Sequence, residues 1–97
     1  MPQPVLPPDL LAVLARLGDP AEVELFLRDL LTPHERESIS ERWAIVKALN
    51  AGETQRQVRD RLGCSITTVS RGAKQLKYGD GGFALALALD ALDRGGP

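Results

Sequence analysis

The apolar residues of this chain fall into six groups, each bounded by capping or breaking residues. Leu10, Leu11, Val13, Leu14 and Leu17 predict a first helix from Pro8 to Leu17, stopped by Gly18. Val23, Leu25, Phe26, Leu27, Leu30 and Leu31 predict a second. It opens on "DPAE", with Asp19 as N-cap, Pro20 at the first helical position and Glu22 at the third. "TPHE" repeats the device, with Thr32 answering Glu35. The third helix then runs to about Asn50, with Ile39, Trp43, Val46 and Leu49 on one stripe and Gly52 as its stop. "TQRQ" sets Thr54 against Gln57 and opens a short fourth helix ending near Leu62. "GCS" follows, placing Ser65 to cap a fifth. "YGDGG", residues 78–82, breaks the chain again. The last group, "FALALALDAL", alternates with period two, as a strand would. Alanine and leucine are strong helix formers, however, and nothing else reads as β, so this is a sixth helix with Leu85, Leu89 and Leu92 on one face. The fold class is therefore all-α, with six helices. Residues 1–7 and 94–97 read as disordered.

Residues 55–76 fit a helix-turn-helix. Val58 and Leu62, Cys64, then Ile66, Val69, Ala73 and Leu76 supply the apolar anchors, and Gly63 stands where the tight turn needs positive φ. Thr67, Ser70, Arg71, Lys74 and Lys77 occupy the opposite face of the second helix. Gly72, in the middle of that helix, costs about 1 kcal/mol against alanine. A reading helix in a major groove needs this division. Short side chains near its start, Thr67 and Ser70 with a methyl from Ile66, reach base edges. Cations farther along, and Arg56 and Arg59 on the preceding helix, reach phosphates. The plainer alternative is an amphipathic helix pair with a solvated charged face.

Charge sharpens the first reading. The chain of 97 residues has a net charge of −1. From Thr54 to Lys77, however, six basic residues face one acid, whereas the remainder holds six basic and twelve acidic residues. That segregation suits an anionic partner. The length fits one domain, and the Leu10/Leu11, Leu30/Leu31 and Leu85–Leu92 faces offer more apolar surface than one small bundle covers, so a homodimer is expected. A single cysteine allows no intramolecular disulfide. "MPQPVLPPDLL" does not read as a signal peptide, and the longest apolar run, Phe83–Leu89, is too short to cross a membrane. The expectation is a cytoplasmic protein with no membrane partner. No catalytic constellation or metal spacing stands out: His34 reads as a solvated side chain, Cys64 as a small buried anchor and "GDGG" as a break. The chain is not expected to be an enzyme.

"LLTPHERESISERWAIVKAL", "QRQV", "LG" and "ITTVSRG…LK" together resemble the bacterial tryptophan repressor family, over about residues 30–77. The resemblance implies an intertwined, six-helix homodimer. Residues 1–53 would form dimerisation and core helices, residues 54–77 the helix-turn-helix, and residues 78–97 a break and a final helix. It also implies a transcriptional repressor of double-stranded DNA with a palindromic operator, controlled by L-tryptophan or a related small aromatic ligand as corepressor. Arg42 and Arg71 match the two arginines that sandwich the indole. Gly72 matches the glycine beside the ring, and Thr32 another pocket residue. Gln75 stands where the repressor has a small serine near the ligand's amino group. Ile66, Thr67 and Ser70 match base-reading positions, and Gln55, Arg56, Arg59 and Lys77 match positions near phosphates, with Lys74 on the same face. Two alternatives stand beside this reading. One is a DNA-binding dimer of the same kind that does not sense tryptophan, which Gln75 and "KYGDGGF" motivate. The other is a helical protein-interaction module without DNA binding.

Overall fold

The computed structural model describes residues 6–94, which form six α-helices and, among the described residues, no strand: α1 (Pro8–Arg16), α2 (Pro20–Leu30), α3 (Pro33–Asn50), α4 (Gln55–Leu62), α5 (Ile66–Tyr78) and α6 (Gly82–Asp93). The all-α, six-helix expectation holds. Of the ends expected to be disordered, residues 1–5 and 95–97 lie outside the described residues. The chain divides into two compact units, Met1–Glu37 and Ser38–Pro97, and α3 begins in the first and ends in the second.

In the first unit, side chains satisfy the orphan N–H groups that every helix start leaves. The Asp19 carboxylate accepts from the Glu22 N–H at 3.0 Å. Glu22 reaches back to the Gly18 N–H at 2.8 Å, one residue upstream of the position that a reciprocal box would use. Thr32 and Glu35 do close the reciprocal box: the Glu35 N–H donates to Thr32 Oγ1 at 3.1 Å, and the Thr32 N–H to Glu35 Oε1 at 2.9 Å. Arg36 Nη1 donates to the carbonyls of Arg28 and Leu31 at 3.0 and 3.3 Å, and so covers the carbonyl end of α2. No residue of α1 or α2 is buried. Leu11, Val13, Leu25 and Leu30 stay exposed.

The box at α3 carries a pH dependence. The Glu35 carboxyl titrates below its ordinary value, because the Thr32 backbone N–H and then the Thr32 hydroxyl hold its charged form. A depressed carboxylate stabilises the fold above its unfolded pKa of about 4.3, and that contribution is lost as pH falls through the lower folded value. Glu35→Gln is expected to remove this part of the acid sensitivity, read as the difference between wild-type and variant stability at neutral and acid pH. Equal pH profiles would show that the box adds nothing through charge.

The second unit has the buried core. Ile45, Ala48, Val58 and Val69 form one cluster, with Leu49, Leu62 and Cys64 packed against it. The end of α3 thus meets both helices of the 55–78 segment. Of the stripe expected on α3, Val46 is buried and Leu49 and Trp43 are half-buried, but Ile39 is 42% exposed. The cluster instead uses the adjacent line Ile45–Ala48–Leu49. This helix is apolar on two sides, and Ile45 on one and Val46 on the other are both buried.

The Thr54–Gln57 box forms at 3.1 and 2.8 Å. Gly63 turns at φ 72°, a left-handed conformation that strains any residue with a Cβ, and brings α5 back across α4. Ser65 caps α5 by accepting the Thr68 N–H at 3.1 Å. Gly72 faces α3 closely: a Cβ added there would stand 2.8 Å from Ile45 Cγ2, inside any real contact. Ile66 departs from the expectation of an apolar anchor, though not from that of a methyl group open to base edges. It is 39% exposed, whereas Val69, one turn farther along α5, is completely buried. Residues 82–93 are helical despite their alternation, and Leu85, Leu89 and Leu92 share a face at 65%, 55% and 71% exposure. No helix among the described residues is long and apolar enough to cross a membrane.

Candidate functional site

Two features stand out in the second unit. The first is the outer face of α4 and α5. With Val58 and Val69 turned inward at zero exposure, Gln55, Arg56, Ile66, Thr67, Lys74 and Lys77 are all exposed. The cations of this segment are not equivalent. Arg59 Nε donates to Asp60 Oδ1 at 2.8 Å, and Arg61 Nη2 to Glu53 Oε2 at 2.7 Å. Each pair carries its pKa signature: Asp60 is held below the usual carboxylate range by its hydrogen bond from Arg59, and Arg59 and Arg61 are raised by the carboxylates they bind. Lys77 Nζ lies over the Tyr78 ring, 5.3 Å from its centroid. Arg56, Arg71 and Lys74 form no salt bridge among the described residues. Charge counting alone merged these classes. Ser70 differs from Thr67: it is half-buried, and its hydroxyl donates to Gln55 Oε1 at 2.8 Å. A residue matched to a base-reading position and one matched to a position near phosphates are therefore bonded to each other.

The second feature is a cavity of about 550 Å³, lined by Ser38, Glu41 and Arg42 with Ile45 and Val46 from α3, by Thr68, Arg71, Gly72 and Gln75 from α5, and by Phe83 from α6. Four of the five residues matched to a ligand pocket, Arg42, Arg71, Gly72 and Gln75, meet here. Thr32 does not line this cavity, and its hydroxyl is engaged in capping α3. The volume lies within the usual range for small-ligand sites. Two guanidinium groups can stack on a flat ring and hold a carboxylate, and the Gln75 amide can donate or accept. Glu41 adds a carboxylate that is not among the residues matched to the pocket. It stands four residues before Ile45, a spacing that puts both on one side of α3. Ser38 and Thr68 also follow from helical spacing, four before Arg42 and three before Arg71. Phe83 lies beyond the chain break, where no spacing argument reaches. A second cavity of about 400 Å³ adjoins the first through Gln75 and Phe83, and Trp43, Leu76 and Asp80 complete much of its wall. Lys47 Nζ stands over the Trp43 ring at 5.6 Å. Among the described residues, no group of three His, Cys, Asp or Glu is placed to hold a metal ion.

Comparison with known proteins places the chain in a family. A family model described as Trp repressor protein matches residues 8–90. A Trp operon repressor homolog of Vibrio parahaemolyticus is 43% identical over 60 residues, 61% of this chain and 58% of that protein. One from Vibrio cholerae is 46% identical over 55 residues, 56% of this chain and 53% of that protein. A protein of Bacillus subtilis named Uncharacterized protein YerC is 32% identical over 71 residues, 73% of this chain and 68% of its own length. The chain thus spans between half and two thirds of the length of these Vibrio relatives. No solved structure matches it.

Proposed function

This chain belongs to the Trp repressor family, and from that premise we propose that it is a DNA-binding transcriptional repressor acting as a homodimer. The observation that carries the reading is the α4–Gly63–α5 turn. It buries Val58 and Val69 on one side and leaves Arg56, Thr67 and Lys74 exposed on the other. α5 enters a major groove, with Ile66 and Thr67 near base edges and Arg56, Lys74 and Lys77 near phosphates. The exposed apolar residues of α1, α2 and α6 supply the surface a second copy would cover. Two copies related by a two-fold axis require a palindromic operator, with half-sites about one helical turn apart. Selection of bound sequences from random DNA, at fixed salt with and without L-tryptophan, tests this. Paired half-sites are the expected product, and enrichment of no sequence would overturn the DNA-binding reading.

The cavity takes a small aromatic ligand, L-tryptophan on the family premise, between Arg42 and Arg71. Such a ligand shifts the population toward the DNA-competent state only if it prefers that state. Arg71 is exposed and forms no salt bridge among the described residues, so Arg71→Ala should leave the fold intact. By calorimetry it is expected to weaken tryptophan binding about 10- to 100-fold, the worth of a stacked, charge-assisted contact. A second reading is favoured by Gln75. Its bulk stands in the cavity wall, and it suits a dimer that binds DNA without sensing tryptophan. In that case wild type shows no tryptophan heat while the selected operator still binds.

A further inference from the structure

We propose that Ser70 is a positioning residue: its hydroxyl fixes the side-chain amide of Gln55, and Gln55 rather than Ser70 makes the contact with DNA. The inference deepens the DNA-binding reading above and rests on it. Ser70 Oγ donates to Gln55 Oε1 at 2.8 Å across the gap between α5 and α4. The serine's one donor is thereby used, and the residue is half-buried between its exposed neighbours Thr67 and Lys74. Gln55 is exposed at the first helical position of α4, beside Arg56, which forms no salt bridge among the described residues. A free glutamine amide turns either its oxygen or its NH2 toward a partner. Phosphate oxygens only accept, so one of those orientations repels. With Oε1 taken by Ser70, the NH2 group is left to donate outward, and the side chain is ordered before DNA arrives. Pre-ordering one rotamer-rich side chain is worth about 2- to 10-fold in affinity.

The test is a double-mutant cycle on the full-length protein, using the operator selected by wild type at one stated salt concentration. Ser70→Ala is expected to weaken binding about 2- to 10-fold with base preferences unchanged. In a Gln55→Ala background it should cost nothing further. Ser70→Thr keeps the hydroxyl and should retain most of the affinity. Gln55→Glu keeps an acceptor for Ser70 but replaces the outward NH2 with a carboxylate oxygen. It should unfold at about the wild-type temperature and yet lose operator binding, which a purely structural role for this bond does not predict. Equal losses from Ser70→Ala with and without Gln55 would overturn the proposal, as would relaxed preference at one operator position, which would make Ser70 itself a base reader. If wild type binds DNA and the cycle is additive, this inference alone fails. If wild type binds no DNA, the DNA-binding reading fails and takes this one with it.

Discussion

Ile45→Ala is expected to cost about 2–5 kcal/mol of folding free energy, a large share of what a domain of this size has. Ile45 is 1% exposed and packs with Ala48, Val58 and Val69, so it joins α3 to both helices of the helix-turn-helix. The informative result is its coupling to Gly72. In the wild-type background, Gly72→Ala places a methyl group 2.8 Å from Ile45 Cγ2. Overpacking of this kind costs about 1–3 kcal/mol, against a gain of about 1 kcal/mol in helix propensity. In the Ile45→Ala background Cγ2 is gone, and the same substitution should become neutral or stabilising. Urea unfolding of the four proteins measures the sign change. Equal effects of Gly72→Ala in both backgrounds would show that close approach of α3 is not what holds a glycine there. Because Ile45 and Gly72 also line the larger cavity, ligand affinity measured on the same four proteins would show whether that wall and the core move together.

The second large effect concerns which cations meet DNA. Arg56→Ala combined with Lys74→Ala is expected to weaken operator binding about 10- to 100-fold and to flatten the dependence of log K on log salt by about 2, roughly one for each phosphate that is no longer neutralised. Arg61→Ala should do much less, since Arg61 is held by Glu53 at 2.7 Å. Asp60→Ala should act in the opposite direction. Asp60 is exposed and holds Arg59 at 2.8 Å. Removing it deletes a negative charge and frees a guanidinium, so binding should tighten and the salt slope steepen by about 1. The Asp60 carboxyl titrates below its ordinary value, so it is charged throughout the neutral range and the gain should not vary there with pH. Affinities at several salt concentrations decide the matter. Weaker or unchanged binding by Asp60→Ala would mean that Arg59 faces no phosphate even when free.

The caps show what was legible in the residues. Thr32–Glu35, Thr54–Gln57 and Ser65 act within three positions of themselves, so spacing alone finds them. Residues 82–93 were legible too, because residue type outweighs alternation. What was not legible depends on partners distant in sequence. Ile45–Ala48 and Trp43–Val46 are both sound apolar lines on α3, and only the first joins the cluster with Val58 and Val69. The resemblance accounted for Gly72 by a ligand ring, whereas the structure adds a tighter reason in the Ile45 methyl group. Ser70 was matched to a base-reading position and Gln55 to one near phosphates, and their bond needs the two helices already crossed. Charge counting showed that the segment is basic but could not assign Asp60 to Arg59 or Glu53 to Arg61.

Trp43 is the sole tryptophan of the chain. It stands half-buried in the smaller cavity, with Lys47 over its ring and with Gln75 and Phe83, which that cavity shares with the larger one, completing the same wall. The protein therefore carries its own optical probe at the edge of the proposed ligand site. Emission from that indole responds to water and charge at the wall, so its wavelength and intensity can follow occupancy without an added label. L-tryptophan would drown the signal with its own emission. A non-fluorescent aromatic acid would leave the built-in indole as the only reporter.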